Sequence, residues 1–277
     1  MFTINCKGKL LALDHPIIMG VVNATPDSFF KSDINKDILQ LVKQMTDEGA
    51  AIIDIGGQST RPGSERIKAE EELSRVIPII ESIQNTNPGI ILSIDTYYSE
   101  VAAAAVKAGA SIINDISGGT MDDAMISTAA SLQVPYVCMH MKDTPATMHL
   151  DPVYEDVVKE VLDFFIFKIA ECRDAGIHDI IIDPGFGFGK TSRHNFQLLH
   201  HLNIFKMLDW PILAGLSRKS TVYKTLHTTA DKALNGTTVM NTIALLNGAS
   251  ILRVHDVREA REAITLVTAY KKASSQE

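Results

Sequence analysis

The sequence predicts a single (β/α)8 TIM-type barrel over residues 1–277, opened by a short N-terminal β-hairpin. Three observations carry this. Eight short, β-branched apolar runs alternate strictly with eight segments of helical period, the arrangement of a barrel. The runs are apolar nearly throughout, as strands covered on both faces are. No Pro/Ser-rich linker divides the chain into halves, although an open doubly wound sheet remains the alternative for the same alternation.

In chain order, "FTINCKGKLLAL" reads as a hairpin turning at Lys7-Gly8, placed to plug the barrel bottom. The strand runs are "PIIMGVVN", "AAIIDIGG", "GIILSIDT", "ASIINDIS", "VPYVCMHM", "DIIIDPGF", "WPILAGLS" and "ASILRVHD". Between and after them lie "DILQLVKQMTDEGA", "EELSRVIPIIESIQ", "SEVAAAAVKAGA", "DDAMISTAASL", "YEDVVKEVLDFFIFKIAECRDAG", "NFQLLHHLNIFKM", "GTTVMNTIALLNGA" and "VREAREAITLVTAYKK". Four of these helical segments run into a glycine just before the next strand (Gly49, Gly109, Gly176, Gly248), which suits the left-handed residue of an αβ turn.

Composition narrows the function classes. Hydrophobic residues make up 45% of the chain, enough for a full core, and a net charge of −7 excludes a general nucleic-acid binder. Local basic clusters still suit an anionic small molecule. Cys6, Cys138 and Cys172 are odd in number and far apart, so they fit neither a disulfide framework nor a zinc site and point to a reducing compartment. The first residues lack a signal-peptide core, and no apolar run reaches membrane-spanning length. The expectation is a cytoplasmic enzyme with no membrane partner.

The stretch "IIIDPGFGFGKTS" invites a phosphate-loop reading and fails it. Counting back from Gly189, the required first glycine falls on Pro184, which has no N–H to offer a phosphate. Lys190 then has no phosphate to hold, and its replacement is expected to matter far less than that of Lys219.

In a barrel, chemistry sits where strands end. Those ends carry Asn23, Asp54, Asp95, Asn114-Asp115, Met139-His140, Asp183, Ser217-Arg218-Lys219, Arg253 and His255. Any one of them alone reads equally well as a turn or cap residue. Together, the acids and the two amides at one mouth suit a ligand rich in N–H groups, such as an aminopyrimidine ring, because buried acids need donors. Arg253 and His255 alternate by two at the last strand end beside Lys219, where this fold habitually binds phosphate. The bland alternative for Arg253 is an ion pair with Asp256. Two long polar loops, "NATPDSFFKSD" and "GGQSTRPGSER", exceed the usual βα-loop and suit binding loops.

The segments "IMGVVNATPDSF", "IIDIGGQSTRPGSE", "LSIDT", "INDISGG", "CMHM", "DPGFGFGKT", "LAGLSRKS" and "RVHDV", in this order from about residue 16 to 260, resemble the signatures of the dihydropteroate synthases, pterin-binding enzymes of folate biosynthesis. The resemblance implies condensation of 6-hydroxymethyl-7,8-dihydropterin pyrophosphate with p-aminobenzoate, an SN1-like path, Mg2+, a homodimer through late barrel helices and competition by sulfonamides. It also implies residue roles. Asp95, Asn114 and Asp183 would bond the pterin ring and Lys219 its carbonyl, with Ile116, Met139, Phe188 and Gly215 packed around it. Arg253 would stack over the ring. Asn23, Arg61, Arg253 and His255 would hold the pyrophosphate, with Asn23 at the metal; Thr60, Arg61, Pro62, Ser217 and Lys219 would shape the p-aminobenzoate pocket. Where the family continues "SFSDGG", this chain has "SFFKSD", which leaves open whether Asp27 or Asp33 serves the first loop.

Three rivals share parts of this pattern. A pterin-dependent methyltransferase would not need "GGQSTRPG", Ser217 or Lys219. A non-catalytic pterin-binding paralogue is expected to lose the anion residues, and a phosphate-binding barrel enzyme would share only the basic site.

The two loops, poor in apolar residues, cost conformational entropy to close. Charge-assisted contacts to bound pyrophosphate can offset that cost. p-Aminobenzoate is therefore expected to bind measurably only after pterin, pyrophosphate and Mg2+. Calorimetric titration into the bare and the pre-loaded protein checks this, and equal affinities would refute it.

Overall fold

The structure, a computed structural model, describes residues 2–24, 34–58, 66–144, 147–148 and 152–273. A hairpin of β1 (Phe2–Cys6) and β2 (Lys9–Leu13) precedes a sheet of eight parallel strands: β3 (Ile17–Asn23), β4 (Ile52–Gly56), β5 (Ile91–Asp95), β6 (Ile112–Asp115), β7 (Tyr136–Met139), β8 (Ile180–Asp183), β9 (Leu213–Ala214) and β10 (Ile251–Val254). The order is β8-β7-β6-β5-β4-β3-β10-β9, and a parallel bridge between Ile182 and Ile212 joins its two ends. The sheet closes, so the open-sheet alternative falls.

Around it lie α1 (Ile34–Glu48), α2 (Ala69–Thr86), α3 (Ser99–Ala108), α4 (Met125–Leu132), α5 (Val157–Asp174), α6 (Ser192–His200), α7 (Ser220–Thr225), α8 (Leu234–Leu246) and α9 (Val257–Ala273). Two details differ from the sequence reading. The expected helix over "NFQLLHHLNIFKM" breaks after His200 and continues as a 3-10 stretch, Leu202–Leu208. An extra short helix, α7, follows β9, because the chain turns sharply at Arg218, which takes a left-handed φ of 54°.

The hairpin turns where expected, with Lys7 and Gly8 both at positive φ. Its Ile4, Cys6 and Leu13 pack against Met19, Ile52, Ile112, Val137, Ile181 and Ile251 and seal the barrel bottom. Alternate strand residues such as Ile53, Leu92, Ile113 and Leu252 face the helices in a larger apolar layer. Two residues further along four of the strands, the inward face changes character. Ile52 gives way to Asp54, Ile112 to Asn114, Ile181 to Asp183 and Ile251 to Arg253. The interior is apolar below and polar at the mouth.

The "DPGFGFGK" stretch is a tight loop pinned from inside. Buried Lys190 points Nζ at the carbonyl oxygens of Gly185 (3.0 Å), Phe188 (3.0 Å) and His140 (3.2 Å), and at His140 Nδ1 (2.9 Å). Burial pushes the His140 pKa down to about 2, so its ring stays neutral and Nδ1 accepts. A Cβ at Gly185 would collide with the His140 carbonyl oxygen, and one at Gly189 with Lys142; both glycines also hold positive φ. Lys190 is thus a structural anchor of this loop, a role the sequence reading did not assign to it. Lys190→Met should destabilise the fold by about 3 kcal/mol, since at least two buried carbonyls lose their donor; denaturant midpoints measure this.

Candidate active site

A row of residues crosses the barrel mouth in register. Asn23 of β3 pairs with Gly56 of β4, Gly56 with Asp95 of β5, and Asp95 with Asn114 of β6. Further round, Met139 pairs with Asp183. Because side chains alternate along a strand, this register turns Asp95, Asn114, Met139 and Asp183 into one cavity.

Arg253 organises the floor of that cavity. Its Nε donates to Asp54 Oδ2 at 2.7 Å, and a terminal nitrogen donates to Asp95. Asn114 Nδ2 donates to the same Asp54 oxygen at 2.9 Å. Asp54 is fully buried, and its Oδ1 has no hydrogen-bond partner among the described residues. Asp54 is a strand-end acid to which the family resemblance gives no role. A signal was present in the sequence: an acid inside "IIDIGG" must meet a cation or donors, since desolvating it otherwise costs several kcal/mol.

Lys219 and Asp183 face one another across the mouth. Asp183 Oδ1 accepts the Gly185 N–H at 2.8 Å, and Lys219 Nζ donates to the Phe186 carbonyl and lies 4.6 Å above the Phe188 ring. Burial lowers the Lys219 pKa to about 8 against the pull of Asp183, while burial raises that of Asp183 against the pull of Lys219. Burial likewise raises the Asp95 carboxyl, opposed by Arg253 and assisted by Asp54. The space beside Gly215 that a Cβ would fill lies 3.7 Å from Lys219 Nζ and 3.9 Å from Asp183 Oδ2. Cation, anion and a bare backbone position meet there.

One wall is apolar: Ile116, Met139 and Phe188 form a buried cluster with Tyr97 and Met148. At the rim, Ser217 Oγ and His255 Nδ1 are 3.0 Å apart, and Ser217 Oγ also accepts the His255 N–H. His255 is exposed whereas Arg253 is drawn into the floor, so the two expected anion ligands occupy different depths. Asp256 is bound by Arg218 through a bidentate pair (2.9 and 2.8 Å), which removes the ion-pair alternative offered for Arg253. Asp115 takes four donors from Ser117, Gly119 and Tyr136, so it is a turn-forming acid. Thr60, Arg61, Pro62, Asp27 and Asp33 lie outside the described residues.

Asp54→Ala should cost about 3 kcal/mol of stability, because it breaks a buried pair and leaves Arg253 half-partnered. Asp256→Ala, at a pair whose arginine is partly solvated, should cost about 1 kcal/mol or less. Urea unfolding of both variants tests the contrast.

The chain matches the family described as pterin binding enzyme over residues 19–255. It is 42% identical to the dihydropteroate synthase of Escherichia coli K12 over 268 residues, covering 95% of this chain and 94% of that one. The solved dihydropteroate synthase of Xanthomonas albilineans in complex with 7,8-dihydropteroate superposes with a TM-score of 0.88 at 38% identity, covering 98% of this chain and 99% of the other. The Yersinia pestis synthase with a sulfonamide drug superposes at 0.92 and 38% identity, covering 98% and 100%. The barrel, its polar mouth and these relatives agree: the chain belongs to the pterin-binding enzyme family, in its dihydropteroate synthase branch.

Proposed function

We propose that the chain is a transferase of folate biosynthesis that joins 6-hydroxymethyl-7,8-dihydropterin pyrophosphate to p-aminobenzoate, giving 7,8-dihydropteroate and pyrophosphate. The observation that carries this is the meeting of Asp183, Lys219 and the bare Gly215 backbone beside an apolar wall. A flat aminopyrimidine fits there. Its N–H groups reach Asp183 and Asp95 and its carbonyl reaches Lys219, while fully buried Asp54 lies beneath, held by Arg253 and Asn114. The ring rests against Ile116, Met139 and Phe188. Arg253 borders it from the floor and orients Asp54 and Asp95.

The reaction needs little from the protein beyond binding and charge. The C–O bond to pyrophosphate breaks with its electron pair leaving on the phosphate oxygen, and the pterin methylene becomes cationic. The buried acids stabilise that cation electrostatically, which favours an SN1-like order. The uncharged amine then supplies its lone pair to form the C–N bond and afterwards loses a proton. It requires orientation rather than a strong base, and Ser217 at the rim supplies one contact for its carboxylate.

Mg2+ fits as an ion that arrives with pyrophosphate. No group of three or more His, Cys, Asp or Glu side chains among the described residues forms a metal cage, and Asn23 at the end of β3 offers one amide oxygen. Asn23 would hold the ion, which would supply positive charge against the leaving pyrophosphate. Binding of sulfonamides at the p-aminobenzoate position follows the same reading.

A homodimer is supported by the late helices. Val239, Ile243 and Leu246 of α8 are exposed beside Leu266 and Tyr270 of α9, the last two about 70% exposed. Such a patch suits a self-complementary interface. A cytoplasmic location is supported by three cysteines that are all free, and no helix among the described residues is long and apolar enough to cross a membrane.

An assay with pterin pyrophosphate, p-aminobenzoate and Mg2+ tests the activity, read as dihydropteroate formed. In it, Lys219→Ala should lower kcat/KM by about 10²-fold or more. In the wild type, rate should fall as pH rises past about 8, where Lys219 loses its proton. No product in this assay would refute the proposal.

A further inference from the structure

Helix α2 carries an acid where its inner face should be apolar. Its buried stripe is Ala69, Glu72, Val76, Ile79, Ile80 and Ile83, and Glu72 is only 1% exposed. Neither carboxyl oxygen has a hydrogen-bond partner among the described residues. Two more buried polar atoms without partners, Gln58 Oε1 and the Tyr97 hydroxyl, belong to the loops that leave β4 and β5 at the same side of the barrel mouth. Tyr97 feels both the Gln58 amide and the Glu72 carboxyl, and the Thr96 hydroxyl lies near enough to Glu72 to influence its ionisation without bonding it in this structure. Unpaired atoms this densely placed each cost about 1–3 kcal/mol unless they serve one another.

The acid also touches the site. A Cβ at Gly57 would lie 2.8 Å from Glu72 Cγ, so this side chain packs directly on the Gly57 backbone. The adjoining Gly56 lies against Asp95, whose Cβ is 3.5 Å from the position of a Cβ there. Thr96, on the other flank of Glu72, follows Asp95 in the chain. Glu72 therefore braces both backbone segments that hold Asp95.

An ionised Glu72 has only acceptors to offer, whereas Gln58 Oε1 also accepts and needs a donor. A neutral carboxyl has one O–H for Gln58 or Thr96 and a carbonyl oxygen for the Tyr97 O–H. Resting on the pterin-site reading above, we propose that Glu72 is a positioning residue: as a neutral carboxylic acid it joins Gln58, Thr96 and Tyr97 and holds Asp95 in its pterin-binding place. Burial first, then the nearby Asp95 charge, push its pKa up to about 8, with Thr96 and Arg75 opposing. Arg75, on the same helix, spends its guanidinium on Glu71 and the Gly57 carbonyl. Arg66, before α2, lies over the rings of Tyr97 and Tyr98.

The sign of the pH effect is fixed by a raised carboxyl pKa. The folded state holds a proton that the unfolded chain has lost, so stability falls as pH rises from the ordinary carboxylate range through about 8. Asp95 acts in the same direction, and Lys219 also titrates near 8, so wild type must be compared with a variant that changes only Glu72. In Glu72→Gln the amide N–H2 replaces the O–H and cannot ionise. Glu72→Gln should fold, and between pH 5.5 and 8.5 its melting temperature should fall by roughly 4 °C less than that of wild type. This readout needs no substrate, so it stands apart from the functional reading.

Calorimetric binding of a dihydropterin then tests the positioning. At pH 7, Glu72→Gln should bind within about threefold of wild type, and Glu72→Ala at least tenfold more weakly. Between pH 7 and 9.5, wild-type affinity should drop about tenfold more than that of Glu72→Gln, while the drop due to Lys219 persists in both. Parallel pH–stability curves would overturn the proposal. So would a Glu72→Gln protein that fails to fold, or one whose pterin affinity follows the wild-type pH profile.

Discussion

The mouth of this barrel depends on the placement of Arg253 between Asp54 and Asp95. Two carboxylates within a buried cavity repel one another and lose their hydration, a cost that a single shared guanidinium offsets through charge-assisted bonds. With Arg253 in place, Asp54 can also orient Asn114, and the floor becomes a linked set rather than separate acids. The four strands that contribute, β4, β5, β6 and β10, lie side by side in the sheet with β3 between β4 and β10, and the curl of the barrel turns their side chains toward one another.

The closed barrel gives four of its strands an apolar lower end and a polar upper one. Below, the inward residues Ile52, Ile112, Ile181 and Ile251 meet the hairpin and exclude water. Above, their i+2 neighbours Asn114, Asp183 and Arg253 border the mouth, with Asp54 buried beneath them. Stability is concentrated at the bottom and reactivity at the top, separated by one strand repeat of roughly 7 Å. The hairpin is thus part of the active-site support, because without its cover the lowest layer would meet solvent.

Around this floor, loops are held by unusual buried polar groups. Lys190 gathers the carbonyls of the glycine-rich turn so that Phe188 can form a wall and Phe186 can present its carbonyl to Lys219. Glu72 braces the turn after β4 from the opposite side. Each is a charged residue type inside an apolar shell, and each contacts backbone that carries a ligand-facing side chain. Rigid placement of that kind is what orientation-driven catalysis requires.

Strand and helix alternation, the Lys7-Gly8 turn and the strand-end residues Asn23, Asp95, Asn114, Asp183, Lys219 and Arg253 were legible from local pattern, since period and turn chemistry are properties of neighbours in the chain. The order of segments such as "DPGFGFGKT" and "RVHDV" was enough to point to the family. Pairing was not legible. That Arg253 takes Asp54 and Asp95 while Arg218 takes Asp256, and that Lys190 turns inward to carbonyls, depends on distances between residues as many as 199 apart in the chain. A strand pattern fixes which face a side chain is on. Only the closed barrel decides which charge stands opposite, because Coulombic and hydrogen-bond energies are set by separation in space, not in sequence.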